Sequence, residues 1–210
     1  MLITFEGIEG SGKSTQIRHA AAFLRARGRQ CLLTQQPGGT RIGRQIRSIL
    51  LDRENSCMDS LVELLLYAAD RRQHVTEVIR PALSSGLTVI SDRFHDSTFA
   101  YQGFSRAIEI ETVRECNRLA MDGLSPDLTV LLDLDPEIGL GRAWKEVAEG
   151  GRPREETRFE EEAMEFHRRV RAGYLRLAEL EPKRFAVIDA AATEPKVRSS
   201  IENVLADRLD

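Results

Sequence analysis

No run of apolar residues in this sequence is long enough to cross a bilayer, and its 41% hydrophobic content is interleaved with 30% charged residues. A membrane partner is therefore not expected. Cysteine is scarce. Cys31, Cys57 and Cys116 stand far apart, without Cys-x-x-Cys spacing or histidine companions, so neither a disulfide framework nor a cysteine-based zinc site is expected. Basic residues are not in excess, since 30 Lys and Arg face 33 Asp and Glu for a net charge of −3. That balance argues against a nucleic-acid partner bound through a broad positive surface. The Asn-Lys-x-Asp element with which GTPases read their base does not occur, and neither does an internal repeat or a low-complexity tract. Met1 leads directly into an apolar run, which leaves no room for a cleavable signal peptide and makes the cytoplasm the expected compartment.

What is present begins with Gly7-Ile8-Glu9-Gly10-Ser11-Gly12-Lys13-Ser14, directly behind Leu2-Ile3-Thr4-Phe5. The spacing fits a phosphate-binding loop between a strand and a helix. Glycines let successive N–H groups curl around an anion, and the helix beginning near Lys13 adds its positive end. Lys13 is expected to reach the β- and γ-phosphates of a nucleoside triphosphate, and the Ser14 hydroxyl to take a place on Mg²⁺. Gly7 through Ser14, with Thr15, form the expected ATP-binding segment.

The remaining chain alternates strands and helices. Apolar runs at Cys31-Leu32-Leu33, Leu87-Thr88-Val89-Ile90, Leu128 to Leu132 and Ala186-Val187-Ile188 join the first strand, with helical periodicity between them. Pro37-Gly38-Gly39-Thr40 breaks the second strand, and Thr40 is placed to cap a helix carrying Ile42, Ile46 and Ile49. A mostly helical stretch runs from Met58 to Ser85, with Pro81 marking a kink or junction. Further helices are predicted over 109–121, from Pro136 to near Gly150, over about 159–180 and from about Glu194 to Leu209. This pattern predicts one α/β domain over 1–210 with a five-stranded parallel sheet flanked by helices, a three-layer P-loop NTPase fold. Residues 149–158, polar and arginine-rich, read as a mobile segment.

Strand ends in such sheets carry ligands, which singles out Asp92 and Arg93 beyond the buried third strand. Arg47, Arg71, Arg93, Arg152, Arg154 and Arg158 are scattered along the chain but suited to phosphoryl transfer, whose transition state spreads charge over several oxygens that planar guanidinium groups can grip.

Phe-Glu-Gly-Ile-Glu-Gly-Ser-Gly-Lys-Ser-Thr (5–15), Pro-Gly-Gly-Thr (37–40), Leu-Tyr-Ala-Ala-Asp-Arg (66–71), Asp-Arg-Phe-His-Asp-Ser-Thr-Phe-Ala-Tyr-Gln-Gly (92–103) and Pro-Asp-Leu-Thr-Val-Leu-Leu-Asp (126–133) together resemble bacterial thymidylate kinases, nearly end to end. The resemblance implies transfer of the γ-phosphate of ATP to dTMP, giving dTDP, with Mg²⁺, in a homodimer joined through apolar faces such as that around Leu61 to Leu66. It implies that Lys13 and Arg93 are catalytic, that Arg93 and Arg47 hold the acceptor phosphate beside Pro37, and that Asp92 steadies Mg²⁺ together with Ser14. Tyr67 would stack on the thymine ring and Arg71 would contact the base. Ser97, Thr98 and Gln102 would read its polar edge, Tyr101 would pack beside the deoxyribose, and Glu9 would face the sugar hydroxyl. No arginine follows Glu9 in the loop, so the catalytic charge is expected from lid arginines Arg152, Arg154 and Arg158, with Arg158 preferred. Gln35-Gln36 stand where the family commonly has Arg-Glu, which is expected to weaken metal or acceptor positioning. A related nucleotide or deoxynucleoside kinase, or a nucleotide-binding regulatory protein with reduced catalysis, are the alternatives.

Overall fold

Leu2–Glu6 (β1) is buried along its whole length, as a strand covered on both faces must be. In the computed structural model, which describes residues 1–151 and 153–209, this strand is the centre of the sheet. Cys31–Gln35 (β2), Thr88–Asp92 (β3), Leu128–Asp133 (β4) and Phe185–Asp189 (β5) complete it in the order β2-β3-β1-β4-β5, every pair parallel. The two edge strands are the ones with exposed positions, so burial follows place in the sheet. Phe5 is in register with Asp92, which brings the carboxyl ends of β1 and β3 side by side. That is where an open parallel sheet leaves room for a ligand.

The helices are Lys13–Ala26 (α1), Arg41–Leu51 (α2), Ser60–His74 (α3), Arg80–Ser84 (α4), His95–Thr98 (α5), Ile110–Met121 (α6), Pro136–Ala148 (α7), Met164–Leu180 (α8) and Glu194–Leu209 (α9). Ile3 and Phe5 point into a core shared with Ile17 and Leu24 of α1, Ile201 and Leu205 of α9, and Val170 of α8. Leu2 points the other way, to Val75, Ile79 and Phe94. Each such side chain contributes about 1.5–3 kcal/mol by burial, so the sheet is held from both faces.

The predicted α/β class and five parallel strands are present, and Thr40 caps α2 by accepting from Gly43 N at 2.8 Å. Three segments differ from expectation. The helical run from Met58 to Ser85 contains a π-helical turn, Val75–Ile79, between α3 and α4. Pro81 has no N–H to donate to the preceding turn, and the wider turn absorbs that change of register. The helix predicted from about Phe159 begins instead at Met164, because Phe159 is buried edge-on against Tyr101 and the chain turns to reach it. Residues 94–105, to which periodicity assigned no element, form α5 and a π-helical stretch, Phe99–Ser105, packed on α8.

Candidate active site

The phosphate loop owes its path to contacts that exclude side chains. A Cβ on Gly10, which has φ 68°, would stand 2.0 Å from the carbonyl oxygen of Gly139 in α7. A Cβ on Gly139 would in turn meet the carbonyl oxygen of Glu9 at 2.6 Å. Loop and helix therefore touch backbone to backbone, which only paired glycines allow. Lys13 folds over the loop, its Nζ donating to the carbonyls of Gly7 at 3.0 Å and Ile8 at 2.9 Å. Burial, followed by the nearby charge of Arg93, lowers its pKa to about 8. Lys13 and Arg93 both act on the Glu9 carboxylate.

They open on a cavity of about 250 Å³. Among residues expected from sequence, Glu9, Gly10, Lys13, Ser14, Pro37, Arg47, Tyr67, Arg71, Asp92, Arg93, Ser97, Thr98, Tyr101 and Gln102 line it. They come from α1, α2, α3, β3, α5, the π-helical stretch and the turns between them, so the fold gathers what the sequence scatters. Gly7 and Ile8 lie behind the loop against Leu132 and Tyr174, while Ser11 is buried beside Lys13.

Arg93 has φ 65°, a left-handed conformation costly for a residue with a Cβ. Its Nη2 donates to Glu9 Oε1 at 3.0 Å, and its Nη1 to Ser97 Oγ at 3.2 Å and Tyr174 OH at 2.9 Å. The Tyr101 hydroxyl donates to the same Glu9 oxygen at 2.5 Å, and the Tyr101 ring lies 5.1 Å from the Arg93 guanidinium. Burial alone would raise the Glu9 carboxyl. The approach of His167, the charges of Arg93 and Lys13 and the Tyr101 hydroxyl hold it well below the usual carboxylate range.

At the opposite end Arg71 is 1% exposed and sits among neutral acceptors: Gln36 Oε1 at 2.8 Å, Asn117 Oδ1 at 2.5 Å, Thr98 Oγ1 at 2.7 Å and Phe94 O at 3.2 Å. Burial lowers its pKa to about 10. Behind it Asp70 accepts from Gly38 N at 2.9 Å, and Arg47 donates to Pro37 O at 3.2 Å, so α2 and α3 together shape the Pro37 turn. Tyr67 lies half-buried on the same wall, its hydroxyl pushed upward by burial and by Glu63.

Ser14 Oγ lies 3.5 Å from Asp92 Oδ2 at the cavity edge. A hydroxyl and a carboxylate are hard oxygen donors that fit Mg²⁺, and among the described residues no cluster of three or more His, Cys, Asp or Glu offers an all-protein cage. Such a pair suits an ion that takes its other ligands from substrate phosphates and water.

A profile of the thymidylate kinase family matches residues 5–201. The chain belongs to the thymidylate kinase family. It is 53% identical over 209 residues to a thymidylate kinase of Trichlorobacter lovleyi, covering 100% of this chain and 98% of that one. It is 52% identical over 197 residues to one of Desulfosudis oleivorans, covering 94% and 92%. The crystal structure of thymidylate kinase from Ehrlichia chaffeensis superposes with TM-score 0.76 at 35% identity, covering 98% of both chains.

Within this thymidylate kinase fold, three of the residues singled out from sequence have partners that sequence did not suggest. Arg158 does not line the cavity. It is 4% exposed, donates to Leu50 O at 2.9 Å and Asn55 O at 3.2 Å, and pairs with Glu63, which is itself 0% exposed. A guanidinium so enclosed ties the segment to α2 and α3 and is not poised over a donor. Ser97 serves Arg93 more than a base edge, because its hydroxyl proton goes to Glu6 Oε2 at 2.6 Å. Gln36 accepts from Arg71, so the amide at this position bears on Arg71. Arg154 stands exposed on a short turn, Arg154–Glu156, and Arg152 lies outside the described residues.

Sequence reasoning missed Glu6, Asn117, His167 and Tyr174. The last three lie in helices whose apolar spacing accounts for them as packing residues, and no local pattern signals their approach to Arg71, Glu9 and Arg93.

Proposed function

We propose that the cavity binds dTMP between Tyr67, Arg71 and Arg93, and that Lys13 with the loop N–H groups holds the β- and γ-phosphates of ATP. Enzymes of this family phosphorylate dTMP to dTDP for dTTP synthesis, and this chain does the same. The observation that carries the site reading is the convergence of Lys13 and Arg93 at the joined ends of β1 and β3.

In this reading Arg93 bridges donor and acceptor phosphates, and Arg47 grips the acceptor. Tyr67 stacks on thymine while Arg71, Thr98 and Gln102 read its edge. Tyr101 packs beside the deoxyribose, and Glu9 faces its hydroxyl. The acceptor phosphate is already ionised near neutral pH, so no general base is required. Catalysis rests on alignment of the two phosphates and on charge stabilisation in a confined site. Ser14 and Asp92 would hold Mg²⁺, which supplies charge neutralisation on the donor phosphates when bound. With Arg158 committed to Glu63, Arg154 is the described lid arginine left to approach the donor from the 149–158 segment.

The proposed assembly is a cytoplasmic homodimer. Leu61, Val62 and Leu65 on α3 are exposed by 47%, 47% and 52%, with Ile42 and Ile49 of α2 beside them, a contiguous apolar face that suits a second copy. Measuring ADP release with dTMP, dUMP, dCMP and thymidine as acceptors tests the activity. Preferred turnover of dTMP supports it, and ATP and dTMP binding without dTDP formation overturns it.

A further inference from the structure

Tyr174 lies on α8, 1% exposed, and no sequence pattern linked it to the site. Its hydroxyl donates to Glu6 Oε2 at 2.9 Å, accepts from Arg93 Nη1 at 2.9 Å, and lies 2.7 Å from Ser97 Oγ. Ser97 Oγ donates to that same Glu6 oxygen at 2.6 Å and accepts from the same arginine nitrogen at 3.2 Å. The other Glu6 oxygen takes the backbone N–H of Phe94 at 2.7 Å. Glu6, 0% exposed at the end of β1, thus spends both oxygens on groups that surround Arg93.

A buried carboxylate with no ion-pair partner within 4 Å among the described residues is costly to keep, and here it has a specific effect. It draws both hydroxyl protons toward itself or toward one another, which turns the oxygen lone pairs of Ser97 and Tyr174 to the guanidinium. Arg93 has five N–H donors. Two on Nη1 go to Ser97 and Tyr174, and one on Nη2 goes to Glu9. No described residue accepts from Nε. The donors left over are Nε–H and one hydrogen of Nη2, a set suited to a two-pronged grip on phosphate oxygens.

We propose that Tyr174 is a positioning residue for phosphoryl transfer, which with Glu6 and Ser97 locks one terminal nitrogen of Arg93 so that the Nε edge of the guanidinium meets phosphate. The inference rests on the reading of Arg93 as the phosphate-bridging arginine. Its geometry accounts for two features with no other use in the site: a buried carboxylate without an ion-pair partner among the described residues, and a phenol far away in sequence.

The test compares Tyr174→Phe, Ser97→Ala, Arg93→Ala and the double variant Arg93→Ala/Tyr174→Phe, with active enzyme concentration set by nucleotide-binding titration. Losing one hydrogen bond to a charged group is expected to lower kcat by about 10- to 100-fold in Tyr174→Phe, with KM for ATP within about twofold of wild type. Ser97→Ala removes the other acceptor on the same nitrogen and is expected to lower kcat in the same sense, which keeps the test open if Tyr174→Phe does not fold. In the double variant the tyrosine change adds less than about twofold to the Arg93→Ala loss, because its effect passes through the arginine. Normal kcat in folded Tyr174→Phe and Ser97→Ala, or full additivity in the double variant, overturns the proposal. Normal turnover by Arg93→Ala overturns the reading beneath it instead.

Discussion

Arg158 and Glu63 form an ion pair inside the protein, joining the end of the 149–158 segment to the first turn of α3. Gln102 at 2.8 Å and Arg106 at 3.3 Å bind the same carboxylate, so Glu63 is a junction of three elements.

Arg158→Ala is accordingly expected to act on stability. Removing Arg158 takes one of two cationic partners from the buried Glu63 carboxylate, which keeps Arg106 and Gln102, at a cost of about 1.5–3 kcal/mol. Urea unfolding should show that loss, while kcat per folded molecule changes by less than about threefold. A large fall in kcat with unchanged unfolding would restore Arg158 as a catalytic lid residue.

Lys13→Ala and Arg93→Ala are expected to reduce turnover by about two orders of magnitude or more, since each removes a charge aimed at developing phosphate charge. Circular dichroism and melting should stay near wild type for Lys13→Ala, whose Nζ contacts only the loop itself. Near-normal dTDP formation by either folded variant would remove it from the site.

Stability against pH has opposing contributions. Burial lowers His74 and His95 to about 4, so between pH 4.5 and 6 the unfolded chain binds imidazole protons that the folded one refuses. Each histidine therefore makes stability rise with pH in that window. Burial raises Glu6 to about 7 and Asp70 to about 6, so the folded chain keeps carboxyl protons that the unfolded one has released, and stability falls with pH. The two effects offset. His74→Gln should make the slope of unfolding free energy more negative by up to about 1.4 kcal/mol per pH unit, and Asp70→Asn more positive by a similar amount. Melting curves over pH 4.5–6 measure both, and a slope unchanged in both variants would contradict this account.

Two glycines of one neighbourhood should respond in opposite ways to alanine. Gly10→Ala drives a methyl into the Gly139 carbonyl, and ATP affinity should fall at least about tenfold, read by calorimetry. Gly141, in the interior of α7 with nothing within 4 Å of a built Cβ, should gain about 0.5–1 kcal/mol as alanine.

The strands and most helices could be read from the sequence because each carries its own periodicity, and the phosphate loop because its pattern is local. Phe94 to Ser105 could not, since a π-helical turn follows neither a 3.6 nor a 2.0 repeat. The site was legible wherever a side chain sat in a recognisable motif, as with Arg93 and Tyr101. Tyr174 and His167 escaped because they follow the apolar face of α8, where burial explains them equally well. Arg158 was misplaced for a related reason. Its neighbours Arg154 and Glu155 are polar and exposed, and it is drawn inward by Glu63, 95 positions earlier, and by the carbonyls of Leu50 and Asn55.

The backbone contact between Gly10 and Gly139 couples two processes that are otherwise separate. The helix that carries Gly139 ends at Ala148 and leads into the 149–158 segment. A tilt of that helix as the segment moves would be felt at once by the loop, without any side chain to cushion it. The loop and the start of the path into that segment thus share one rigid backbone contact.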